Sequence, residues 1–136
     1  MGRNATIGGG GYHHLALKAR DFDKTVQFYK QLGFVEWIRW GEGDKRAIML
    51  DTGDGSCLEI FAGGDQLRPE GALLHFALNS NNCDAAIEAA RKIGAKVTME
   101  PKTLEIQSTP AKQTVRIAFC TGPDGETIEF FQNLTK

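Results

Sequence analysis

A chain of 136 residues, 41% apolar and 24% charged, is large enough to bury one ordinary core or two small fused modules. A net charge of −1, with lysines and arginines scattered along the chain, gives no electrostatic reason to expect a nucleic acid or an anionic membrane as partner. No apolar run approaches a membrane span and the start lacks a secretory h-region. Cys57, Cys83 and Cys120 form an odd set without a C-x-x-C, so reduced thiols in a cytoplasmic protein are expected.

Residues 1–11 end in four glycines, which carry no packing surface, and are expected to form a mobile tail. Tyr12–Lys18 reads as a first strand. By alternation Tyr12, His14, Ala16 and Lys18 share one face, and His13, Leu15, Leu17 and Ala19 share the other, which should meet a helix. Asp21 is a good N-cap for a helix in which Phe22, Val26, Tyr29 and Leu32 recur at helical spacing and Gly33 supplies the stop. Strands are expected at Phe34–Trp40, Arg46–Asp51 and Ser56–Phe61, separated by the turns GEGD and DTGDG. The Gly-rich, polar stretch 62–71 reads as a connection.

A second series follows: a strand at Ala72–Leu78, a helix capped by Asn81 or Asn82 with Ile87, Ala90 and Ile93 on its apolar stripe and Gly94 at its end, and a strand at Lys96–Glu100. Pro101–Lys112, polar with two prolines, is expected to be a loop. Strands at Thr114–Cys120 and Thr127–Gln132 flank the turn GPDG.

The second series repeats the first. An offset of 61 aligns residues 12–33 with 73–94, placing His14 on His75, Asp23 on Asp84 and Gly33 on Gly94. An offset of 70 aligns DGSCLEIF (54–61) with DGETIEFF (124–131), placing Glu59 on Glu129. The nine surplus residues of the second copy are expected within Pro101–Lys112. The chain therefore reads as one domain over 12–136 in the α+β class. Its two tandem βαβββ modules, 12–61 and 72–133, are expected to build a curved, barrel-like mixed sheet with helices outside.

The repeat gives chemistry to residues that would be weak signals alone. A single strand histidine is more often a hydrogen-bonded core or surface residue than a ligand, and a single strand glutamate more often lies on a solvated face. Here His14, Glu59, His75 and Glu129 occupy matched positions, His in the first strand and Glu in the last strand of each module. If those strands are neighbours, each pair points to one face. Two imidazoles and two carboxylates suit Zn, Ni, Co, Mn or Fe(II), with positions left open for water or substrate. His13 aligns with Leu74 and by parity faces the helix, so it is not read as a ligand. Lys18, on the His14 face, reads either as a contact for an anionic substrate or as a snorkelling surface lysine. Trp37 and Trp40 read as core residues by default, with pocket lining as the alternative.

The segments HLALKARDFDKTVQFYKQLGF (14–34), CLEIF (57–61), LHFAL (74–78) and GPDGETIEFF (122–131) resemble the vicinal oxygen chelate superfamily. That superfamily includes glyoxalase I, bleomycin-resistance proteins, extradiol dioxygenases, fosfomycin-resistance enzymes and methylmalonyl-CoA epimerase. The resemblance covers residues 12–133. In glyoxalase I the ligands run His, Glu, His, Glu, which His14, Glu59, His75 and Glu129 match. The epimerase typically has Gln at the second place, and the dioxygenases and fosfomycin enzymes use three ligands. Lys18 stands where the small bacterial glyoxalase I has an Arg that helps hold glutathione.

The resemblance implies a metal-dependent lyase or isomerase acting on a small α-oxygenated carbonyl compound, such as the methylglyoxal–glutathione hemithioacetal, through a metal-chelated enediolate. It implies Glu129 as the base with Glu59 its partner, a divalent metal as cofactor, and a homodimer in which modules pair within or between chains. A non-catalytic small-ligand or drug binder and an Fe(II) dioxygenase are the alternatives within the same superfamily.

Overall fold

The computed structural model describes residues 5, 6, 8, 12–67, 75–108 and 110–136. Most of the tail at 1–11, the end of the connection at 62–71 and the first three residues of the strand expected at Ala72–Leu78 lie outside the described residues.

Strand β1 (His14–Lys18) leads into helix α1 (Phe22–Gln31), followed by β2 (Val35–Trp40), a single 3-10 turn at Gly43–Lys45, β3 (Ala47–Asp51) and β4 (Cys57–Phe61). Strand β5 (Phe76–Asn79), helix α2 (Cys83–Lys92), β6 (Lys96–Ile106), β7 (Gln113–Thr121) and β8 (Thr127–Asn133) complete the second βαβββ module. Both helices begin by the same device. Asp21 accepts from Lys24 N at 3.1 Å and Asn82 accepts from Ala85 N at 3.0 Å, each satisfying a first-turn amide without an intrahelical partner. Both end at a glycine in left-handed backbone, Gly33 at φ +99° and Gly94 at φ +98°.

Each module forms its own four-stranded sheet, ordered β1-β4-β3-β2 and β5-β8-β7-β6, and the two sheets are not closed into a barrel. In each the first and last strands are parallel neighbours and the remaining pairs are antiparallel, so both sheets are mixed. The helix-facing sides of the strands and the apolar stripes of both helices merge into one core. Leu58 and Ile60 of β4, Ile128 and Phe130 of β8, Val26 and Tyr29 of α1, and Ile87 of α2 all belong to it. One continuous core thus draws on residues of both repeats.

The modules are also joined by a polar contact. Asp124, buried in the β7–β8 turn, accepts from Arg20 N at 2.8 Å and from Thr25 Oγ1 at 2.7 Å. Beside it Glu126 Oε1 accepts from Asp124 N at 3.0 Å. Glu126 Oε2 and Tyr29 Oη are buried without a hydrogen-bond partner among the described residues. Burial, reinforced by the neighbouring Asp124 charge, lifts the Glu126 carboxyl to about 7, and burial followed by the Glu126 charge pushes the Tyr29 phenol upward.

One expected loop is largely strand. Pro101–Lys112 is not a loop throughout, because β6 continues through Pro101 to Ile106 and pairs with β7 from Gln113 onward. Strand β6 is the sheet edge, and the register slips between Met99 and Lys102, so Pro101 sits where no ladder amide is required of it. The surplus residues of the second repeat thus mostly lengthen a hairpin: Lys102 pairs with Ile117 where Trp40 pairs with Ala47, and the longer strands pair on to Ile106 and Gln113.

Candidate metal-binding half-sites

Strand register places the chemistry. On sheet one, His14 lies level with Cys57, Ala16 with Glu59 and Lys18 with Phe61; across β3 and β2 these rows continue to Asp51 and Val35, Met49 and Ile38, and Ala47 and Trp40. His14 and Glu59 are therefore diagonal neighbours on one face, with His14 Nε2 3.8 Å from Glu59 Oε1. Sheet two repeats the arrangement. Ala77, Glu129, Phe119 and Met99 form one row, and His75 Nε2 lies 3.0 Å from Glu129 Oε2.

Both glutamates are 8% exposed, while the histidine side chains are about two-fifths exposed, 39% and 41%. A carboxylate at the base of an open sheet face with an imidazole above it leaves that imidazole accessible to a second group. The structure does not gather all four candidates. Among the described residues no three His, Cys, Asp or Glu side chains converge as a metal site. The donor chemistry fits a divalent ion, but each sheet supplies only one nitrogen and one carboxylate of the set. Each sheet thus presents one His–Glu pair, a candidate half of such a site.

The supporting residues differ between the halves. His13 Nδ1 is 2.9 Å from His14 Nδ1, with the rings edge-on at 5.2 Å, and His13 also approaches the Trp37 ring at 6.0 Å. The parity reading of His13 as helix-facing fails because β1 begins at His14, so the alternation does not extend back to it. His13 holds the Nδ1 edge of His14 while Nε2 faces Glu59, as a second-layer partner of a ligand histidine does. In sheet two Phe119 contacts His75 edge-on at 5.5 Å. Strand reading missed Phe119, although its repeat equivalence to Met49 and its place opposite Glu129 were both available signals.

Cys57 shares the His14 row but is not poised as a thiolate. Burial, then the nearby Asp51 and Asp54 charges, raise its pKa, and its sulfur points to Gly55 O at 3.8 Å. Lys18 is exposed on the site face. Trp37 and Trp40 are 56% and 43% exposed, so neither is a core residue. A cavity of about 460 Å³ lies at the junction of the modules, lined by Leu32, Phe34, Thr52, Ser56, Leu78 and Phe130, none of them a candidate ligand.

Comparison with known proteins agrees with this fold. Residues 11–130 match the model of the Glyoxalase/Bleomycin resistance protein/Dioxygenase superfamily. The chain is 30% identical over 128 residues to the lactoylglutathione lyase of Haemophilus influenzae, covering 88% of this chain and 90% of that protein. It is 29% identical over 129 residues to a probable lactoylglutathione lyase of Vibrio cholerae, covering 88% of each. The trypanothione-dependent glyoxalase I of Leishmania major shares the fold, with a TM-score of 0.69 at 21% identity over 91% of this chain and 87% of that one.

Proposed function

This chain belongs to the glyoxalase/bleomycin resistance protein/dioxygenase superfamily, and on that footing we propose that it is a metal-dependent isomerase or lyase of glyoxalase I type. Its substrate is a small α-oxygenated carbonyl compound, with the methylglyoxal–glutathione hemithioacetal the first to test. The observation that carries this reading is the recurrence of a His–Glu pair at equivalent positions of two repeated sheets, His14 with Glu59 and His75 with Glu129. The names of the curated relatives support the same class.

One sheet's pair is too few donors for a catalytic ion, so the set is completed when the sheet-one face of one chain meets the sheet-two face of a second copy. A twofold dimer then holds two equivalent sites, each built from His14 and Glu59 of one chain and His75 and Glu129 of the other. A divalent ion held there supplies Lewis-acid polarisation of the substrate's adjacent oxygens. The chain's own part is proton transfer. Glu129 takes the proton from the carbon beside the carbonyl and returns it to the neighbouring carbon, and Glu59 faces it across the site. His13 and Phe119 keep the two imidazole rings in place.

The test is metal analysis of the purified protein with its molar mass in solution, followed by the hemithioacetal assay with Ni, Zn, Co and Mn. A dimer with about one ion per site, activity on metal addition, and loss of both metal and activity in Glu59→Gln are expected. A metal-free chain that gains no activity with any of these ions overturns the proposal. A second reading within the same superfamily is a binder of small ligands without turnover. Tight ligand binding that is indifferent to metal and to Glu59→Gln would establish it. Oxygen uptake on a catechol with Fe(II) would instead place the chain with the dioxygenases.

A further inference from the structure

On the His14 face, the row beyond Glu59 reads Lys18, Phe61, Ala47, Trp40 across the four strands. Ala47 is 1% exposed, whereas the aromatic rings on either side of it, Phe61 at 36% and Trp40 at 43%, stay open to solvent. The two rings stand edge to face with centroids 6.5 Å apart. The result is a short aromatic wall over a small residue. At the end of the row Lys18 is exposed and forms no ion pair among the described residues, although its stem runs beside Gly63, next to Asp44. Phe61 is two residues beyond Glu59 on the same face, a separation of roughly 7 Å along the strand. One small molecule can span from the candidate reacting centre to this row.

The corresponding row of sheet two carries a different chemistry. It reads Asn79, Phe131, Ile117, Lys102, which lacks both the aromatic partner and the cation next to the parallel strand pair. The repeat that makes the His–Glu pairs equivalent therefore breaks in this row. Such a difference orients a substrate: one end is chosen by the aromatic wall and the lysine beside it, while the pseudo-symmetric row offers one ring, Phe131, with its lysine, Lys102, at the far edge.

We infer that Lys18, Phe61 and Trp40 form a specificity subsite, taking a substrate with an anionic group attached to a flat, apolar or aromatic body. An ammonium without an ion pair among the described residues, in one row with two exposed rings, matches that combination in charge and in shape. The inference rests on the reading of the His14–Glu59 face as the reaction site and names the substrate class it selects.

The test is calorimetric binding to the full chain without added metal, with 3-phenylpropionate as probe and propionate and benzyl alcohol as controls lacking the ring or the charge. The phenylpropionate ion is expected to bind measurably and both controls to bind at least about tenfold more weakly. Lys18→Met keeps the stem and removes the charge, and is expected to weaken the probe by about tenfold or more. Trp40→Ala is expected to weaken it by about fivefold. The titration contains no metal and measures no turnover, so failure of the metal reading and failure of the subsite are read separately. Equal affinity for probe and controls, or unchanged affinity in both Lys18→Met and Trp40→Ala, overturns the inference. So does a Trp40→Ala chain that loses its partner copy while its probe affinity stays at the wild-type value, which would make the row a subunit contact.

Discussion

Glu126 offers a quantitative test of how the modules are joined. Its carboxyl is lifted from an ordinary 4.5 to about 7, chiefly by burial and further by the Asp124 charge. An acid whose pKa is higher folded than unfolded stabilises the fold fully below its unfolded pKa, and that stabilisation drains away as the pH rises through the folded value. The cost is near zero at pH 4, roughly 2 kcal/mol at pH 6, and levels off at about 3 kcal/mol above pH 8. Glu126→Gln keeps an oxygen for the Asp124 amide, which donates to Oε1 at 3.0 Å, but cannot ionise.

The assay is denaturant unfolding of wild type and Glu126→Gln at intervals from pH 5 to pH 9. The stability difference, variant minus wild type, is expected to grow by about 2 kcal/mol or more over that range, while titrations common to both proteins cancel. Parallel curves, with a difference independent of pH, would refute the reasoning and mean that water reaches Oε2 and keeps the carboxyl near its ordinary range.

A Cβ added at Gly122 would lie 2.1 Å from Glu126 Oε1, so Gly122→Ala is expected to cost about 1–3 kcal/mol in unfolding and to flatten the Glu126 pH dependence by driving that carboxyl outward. Asp124→Ala strips the acceptor from Arg20 N and Thr25 Oγ1 and is expected to destabilise the chain by about 2 kcal/mol or more, seen as a lower melting temperature. His13→Ala removes the partner at His14 Nδ1 and is expected to weaken divalent metal binding by about tenfold or more in a calorimetric titration while leaving thermal stability nearly unchanged, since His13 is exposed.

Much of the fold was legible because its signals are local. Asp21 and Asn82 act as caps whatever the helix packs on, and Gly33 and Gly94 end their helices because a residue without a Cβ enters left-handed backbone at little cost. The alternation of Leu15 and Leu17 with His14, Ala16 and Lys18 assigned the faces of β1 as the structure has them. Pro101 misled for a related reason. Proline reads as a breaker in sequence, but at the bulge of an edge strand its missing amide breaks no ladder. His13 misled because alternation holds only inside a strand, and the strand starts one residue later.

By itself the sequence determined the repeat, the α+β class, and the four matched residues His14, Glu59, His75 and Glu129, since a repeated pattern of side chains is a one-dimensional fact. Tertiary structure decided what that pattern could mean. Parallel pairing of β1 with β4 and of β5 with β8 put each histidine diagonally beside its glutamate, and the separation of the two sheets left these as two pairs rather than a quartet. It also lined up Lys18, Phe61, Ala47 and Trp40 in one row and buried Glu126 against Tyr29. Those placements depend on strand order and register, which join residues far apart in the chain and are set by how the faces of whole elements pack.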